Sequence, residues 1–569
     1  MNKTALTKTY TKDIQNSCLN SKKIVLSLAA ISFSASCTHA TLTPEIETYE
    51  EANRHAKARS GSRSKSSNNN KTISSLQNST QTVSNTGNTL VIESGGTITI
   101  SNGRQQAVNF TQDSSTSTFL NQGTLIGGNN AASVQLGANT NNGVTIETFN
   151  NQGIIGNGSS QFGVTVWGTN SSKSTINNFS NSGTIHSNTG ESIYFGNANI
   201  SSFANSGTIK SKQGAGVNIS QGTSIENFNN TGTIEGKSMG VNVRSTINTF
   251  VNDGLIAATN DGIRINANVK TLTNKGTIKG DGISIRLNGT IETLTNEGIM
   301  DGKSTGIYMN KGFVKTLTNS GTINQNNSVA WAAGIKLEHG STIENIINTG
   351  SIRSNAFGIS VTGGKFGTLT IKDGGQVYGK YSAIGVGRSQ TLGDLYIDGS
   401  SNNGRVSGIY SEENGIALDA NSQTQKIELK NGGIIKGKIH GIRLDNGASL
   451  SGEMILSGEG SRVEGGSGAG ILNRSGKITG SITIKDGATV TATSNQAIAN
   501  YRSGSITGGI TVSGKNTKLQ GNISNIGNAS IGSDIKIEDG AKVEGGLVNQ
   551  GNGSISGSVQ VSGGGSIDS

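Results

Sequence analysis

A chain of 569 residues with 84 glycines, one proline, 31% hydrophobic and 4% aromatic residues lies outside ordinary globular composition. That glycine load without collagen triplets leaves a disordered polymer or a repetitive β architecture, and the Ile, Val and Leu spaced by polar residues between Asn-Gly and Asp-Gly turn signals exclude the first. The net charge of +10 does not mark a nucleic-acid partner, because the basic excess lies near the N-terminus and no aromatic residues interleave with the basic ones to stack on bases.

Residues 1–40 predict a signal peptide. Lys22-Lys23 precede the apolar run Ile24 to Phe33, which is shorter than the ~20 residues needed to span a bilayer. Cleavage fits after Ala40 or after Ser36. The second site would expose Cys37 for lipidation, although Ser34 stands where a lipobox carries a bulky aliphatic residue. Cys18 and Cys37 are the two cysteines, so the body of the chain has neither thiol chemistry nor a disulfide framework. Residues 41–72 predict a short helix and a polar linker: Thr43 as N-cap, Pro44 at the first helical position and Glu45, Glu47, Glu50 and Glu51 in the first turns suit a helix start. Ser60 to Asn70 is the linker.

Residues 73–365 carry a repeat. Between 116 and 352 one pattern recurs ten times: aliphatic, two residues, Phe or aliphatic, one residue, Asn, one residue, Gly, one residue, aliphatic. Thr116 alone breaks its leading place. Ile225-Glu226-Asn227-Phe228-Asn229-Asn230-Thr231-Gly232-Thr233-Ile234 is a clean copy. The glycines at 123, 153, 183, 207, 232, 254, 276, 298, 321 and 350 give a period in the low twenties with insertions, which signals a solenoid. Stacked coils then align Phe119 to Phe250 with Leu272, Leu294, Leu317 and Ile346 as a core row. They also align ten asparagines, from Asn121 to Asn348, whose amides bond along the axis and whose backbone suits a left-handed turn. The glycine two residues on is expected to permit the corner.

From 366 to 569 the unit becomes aliphatic-x-aliphatic-x-(Asp/Asn)-Gly, as in Ile482-Thr483-Ile484-Lys485-Asp486-Gly487, which reads as a half-buried strand running into a tight turn. One continuous right-handed parallel β-helix is expected across both patterns. With eighteen to twenty coils at ~4.8 Å it would be on the order of 90 Å long. A first coil near Leu90 to Gly96 caps it, and at Ser569 the sequence stops partway through a repeat, where more structure is expected to follow.

The long signal region, the Asn181-Ser182-Gly183-Thr184-Ile185 type of coil and the Ile484-Lys485-Asp486-Gly487 type of strand end together resemble the passenger region of bacterial autotransporters (type V secretion). The resemblance covers about residues 70–569 and speaks for fold more than for activity. It implies delivery to the outer membrane surface by a C-terminal β-barrel, whose alternating strands and aromatic girdles this sequence does not contain.

A catalytic site is not expected. Asp398-Gly399-Ser400 is the nearest approach to the Gly-Asp-Ser-Gly motif of serine-protease passengers, and His186, His339 and His440 fall in different coils. Asp373, Asp398, Asp486 and Asp539 sit where turns favour Asp for backbone reasons, which argues against a polysaccharide lyase or hydrolase. No cofactor, metal site or phosphate loop is indicated. Function is then expected at the surface, as adhesion to host glycans or matrix proteins or as self-association, with a passive or truncated passenger as the alternative. Four departures from the period mark candidate binding loops: Asn129 to Asn142, Gly156 to Lys173, Asn324 to Ala333 and Ser400 to Gln425. The two tryptophans, Trp167 and Trp331, fall in them and are candidate contact residues.

Overall fold

The computed structural model describes residues 70–568 apart from 85, 102, 112, 139–142, 328 and 401–403. The signal peptide, its cleavage sites and the helix after Thr43 lie outside the described residues. What is described is an all-β parallel solenoid of about 19 turns.

The 22-residue unit shows why. The three short strands Thr246–Asn252, Leu255–Ala258 and Asp261–Ile265 turn Ile247 and Phe250, Ile256, and Ile263 and Ile265 inward, and each strand is bounded by a Gly- or Asn-containing corner. No strand buries its apolar face alone, so each lies on the corresponding strand of the coil before, in parallel register. Phe250 pairs with Leu272, Ile256 with Ile278 and Ile263 with Ile285. The result is three faces, the first forming one sheet and the second and third sharing another. The first described strand begins at Lys71, just past the Ser60 to Asn70 linker and inside residues 41–72, and pairs with Thr86–Ile92. The coil at Leu90 is therefore not the first.

A continuous apolar core runs from Ile73 to Val543. The Phe row lies inside it, with the ring centroids of Phe149, Phe179, Phe203, Phe228 and Phe250 4.3–5.2 Å apart in near-parallel stacks. Beside it the ten asparagines form a buried amide ladder. Each Nδ2 donates to the Oδ1 of the next coil at 2.7–2.8 Å, from Asn121 to Asn348. Buried amides are costly unless paired, and this arrangement pairs them by translation alone.

Two details correct the sequence reading. None of the ladder asparagines has positive φ, and neither do the glycines two residues on. Those glycines answer a close approach instead: a Cβ at Gly232 would lie 2.2 Å from the Gly207 carbonyl oxygen, and one at Gly276 2.0 Å from that of Gly254. The coils touch backbone to backbone at this corner.

At residue 366 the cross-section changes without a break in pairing. Asn348 pairs with Ile371, and its amide ends the ladder by donating to the Gln376 carbonyl at 3.1 Å. The polar column becomes apolar (Ile371, Ile397, Leu429, Leu456), all fully buried. With no side-chain amide left to hold the corner, the chain turns on left-handed pairs such as Asp486 (φ 56°) and Gly487 (φ 84°). A second amide ladder, Asn473, Asn500, Asn525 and Asn549, forms at the end of the third face, with Nδ2 to Oδ1 distances of 2.8–2.9 Å.

Candidate functional site

On the third face each strand places one side chain outward between two inward aliphatics, as in Ile263-Arg264-Ile265. Register stacks these outward residues into one column. It runs Thr165, Tyr194, Asn218, Asn242, then Arg264, Arg286, Tyr308, Lys336. It continues through Ser360, Gly385 and Ala417 to Arg443.

The middle of the column is a linked polar and aromatic cluster. The Asp261 carboxylate, 2% exposed, accepts from Arg264 at 2.6 and 2.9 Å and from Arg286 of the next coil at 2.9 Å. The Arg286 guanidinium lies 4.9 Å from the centroid of the Tyr308 ring. Tyr308 donates its hydroxyl to Glu338 Oε2 at 2.7 Å, and Lys336 Nζ meets Glu338 Oε1 at 2.7 Å. Lys336 Nζ stands 5.5 Å from the Trp331 ring. Burial, and then the Glu338 hydrogen bond, push the Tyr308 hydroxyl up to about 12. Burial alone would raise Glu338, but the bonds from Lys336 and Tyr308 outweigh it and hold the carboxyl below its ordinary value. Every charge here has its partner, so the cluster is fixed before anything binds to it.

Two open cavities, of 410 and 360 Å³, lie on this face, and Trp331 and Lys336 line both. The depression has a simple origin. The outward column drops to Ser360, Gly385 and Ala417 between the long side chains of Lys336 and Arg443. Phe357 and Tyr381, with ring centroids 6.0 Å apart, border the low ground.

The two tryptophans occupy the same face but are not brought together. Trp167 ends the strand Phe162–Trp167 and packs on Tyr194, ring centroids 4.4 Å apart. Trp331 lies in the corner before Ala333–Glu338 and is 56% exposed. Six strands of this face lie between theirs, seven inter-strand spacings or roughly 34 Å at ~4.8 Å each. Three of the four expected binding loops need correction. Asn129 to Asn142 contains Ala132–Leu136, Gly156 to Lys173 contains Phe162–Trp167, and Ser400 to Gln425 contains Gly408–Ser411 and Asn414–Leu418. These are regular strands. Only Asn324 to Ala333 is mostly corner.

Asp261, Arg286, Tyr308 and Glu338 escape the sequence reading. Their signal is present in Ile263-Arg264-Ile265, Ile285-Arg286-Leu287, Ile307-Tyr308-Met309 and Ile335-Lys336-Leu337, which align at the coil period. An alignment anchored on the Asn and Gly of the first corner does not reach the third strand. Among the described residues no group of three or more His, Cys, Asp or Glu is placed to hold a metal ion. What the arrangement offers is a row of aromatic faces beside fixed donors and acceptors on a rigid sheet, a chemistry of holding. No family model, curated protein or solved structure matches this chain, so the reading of this face rests on its own geometry.

Proposed function

We propose that the chain is an exported, non-enzymatic surface rod of the autotransporter-passenger type, acting in adhesion to host cells or matrix or in autoaggregation. The observation that carries this reading is the pre-paired aromatic and charged column on the third face, centred on Tyr308, Trp331 and Lys336. A surface fixed by its own ion pairs loses little side-chain freedom on contact, which favours binding by a rigid rod. A solenoid also repeats its surface, so weak contacts add along the axis. The reading places the rod outside the cell, delivered by an outer-membrane β-barrel.

Protease shaving of intact cells, probed with antibody to residues 200–350, tests the location. Loss of signal without lysis is the expected outcome, together with attachment of the purified chain to cells or matrix. Full protection would leave the rod in the periplasm and sink the adhesive reading. A passive spacer is the second reading, favoured by the same fact that the column's charges are satisfied internally. Purified rod that attaches neither to cells nor to itself would decide for it.

A further inference from the structure

We infer that the depression around Trp331 binds an uncharged glycan chain, laid along the solenoid axis between Tyr308 and Arg443. The inference rests on the adhesive reading and names the ligand class for that face.

Three observations carry it. The first is shape: the two cavities share Trp331 and Lys336, and Ser360, the Phe357 ring lying over Gly385, and Ala417 continue the floor coil after coil. An extended polymer fits a floor that repeats by translation; a compact ligand would use one coil. The second is the wall. Tyr308, Trp331, Phe357 and Tyr381 offer ring surface for the C–H faces of sugar rings, interspersed with donors and acceptors for hydroxyls. Asn414, 5% exposed, lines the second cavity, and its buried side-chain amide oxygen has no hydrogen-bond partner among the described residues. The third is charge. The first cavity is lined by three bases and two acids, the second by two of each. Arg264 and Arg286 are held by Asp261, Lys336 by Glu338, and Arg443 by Asp419 at 3.0 Å. A sulfated or otherwise polyanionic chain would find its cations already taken and carboxylates beside them. A neutral chain meets no such repulsion.

The test uses the purified chain in calorimetric titration with a length series of neutral hexose oligosaccharides, and with heparin oligosaccharides as the charged counterpart. Affinity for the neutral series should rise with length and stay flat as salt is raised. Trp331→Ala and Tyr381→Ala should each weaken it by about tenfold or more, the usual loss for an aromatic anchor. Tyr396→Ala, in the strand Thr391–Asp398 of the first face and away from the depression, should bind as the parent does. Circular dichroism melts establish that each variant is folded. Binding of heparin alone with steep salt dependence, no binding of any neutral oligosaccharide, or undiminished binding by Trp331→Ala would each overturn the inference. A chain that attaches to cells yet ignores neutral oligosaccharides loses this inference and keeps the adhesive reading. A chain that binds them but is protease-protected in intact cells does the reverse.

Discussion

Asn230 illustrates what one residue does in this molecule. It accepts from Asn205 Nδ2 at 2.7 Å, donates to Asn252 Oδ1 at 2.8 Å, and also donates to the carbonyl of Gly232. Asn230→Ala removes a link from the middle of the ladder and leaves a buried donor and a buried acceptor without their amide partners. The expected cost is on the order of 2–4 kcal/mol, read as a lower guanidinium midpoint. Asn121→Ala, at the ladder's first rung, should cost less, because Asn121 Oδ1 has no donor to lose. His440 gives a residue-scale pH dependence. Its Nδ1 accepts the Ala469 N–H at 2.8 Å, which requires that nitrogen to be unprotonated. Burial lowers its pKa below 6.5, the positive charges of Arg443 and Arg474 lower it further, and Asp445 opposes them. The unfolded chain then binds the proton more readily than the folded one. The contribution is complete above pH 6.5 and declines as pH falls below that value. Thermal melts of the parent at pH 8 and pH 5 should differ more than those of His440→Asn.

At the scale of the coil, glycine serves two separate needs, and two substitutions distinguish them. Gly276 has no positive φ, but a Cβ there would collide with the Gly254 carbonyl oxygen at 2.0 Å, a backbone atom that cannot swing away. Gly276→Ala must push neighbouring coils apart and is expected to lower the melting temperature strongly, by several kcal/mol of stability. Gly340 has φ +84° with open space where a Cβ would stand. Gly340→Ala meets only the left-handed backbone penalty, roughly 1–2 kcal/mol. Similar losses from both would show that the coil contact is looser than the 2.0 Å approach implies.

For the whole rod, stability and length follow from translation. Neighbouring coils are also joined by exposed ion pairs such as Lys210–Glu235 at 2.7 Å and Lys518–Glu544 at 2.8 Å. Such pairs contribute about 0–1 kcal/mol each, so the stacked core dominates. Deleting residues 253–274, one 22-residue period between Asn252 and Asn274, should therefore preserve every ladder and shorten the rod by ~5 Å in small-angle scattering. Deleting half that length, 253–263, should unfold the region, because it would set apolar columns against corners. An equally well-folded half-period deletion would count against register as the organising constraint.

The architecture is legible in the chain because a solenoid maps each position onto the same position one period later. Once Asn230, Asn252 and Asn274 are aligned, their pairing is decided, and so is the burial of Phe228 and Phe250 beside them. An alignment anchored in that one corner misjudges what the glycines there are for: close contact is a property of the stacked coils and leaves no mark in local conformation. The third face is less legible still. Its outward column carries no fixed residue type, changing from Arg286 to Tyr308 to Lys336, and so it does not announce itself as a repeat. Asp261 and Arg286 are 25 residues apart, Tyr308 and Glu338 30 apart. Only the stacking of one coil on the next brings them within hydrogen-bond reach. The sequence by itself determined the period, the core and the parallel pairing, since each follows from one residue type recurring at one place. The tertiary structure alone decided which side chains meet in the third-face column, since it consists of different residue types made neighbours by the stack.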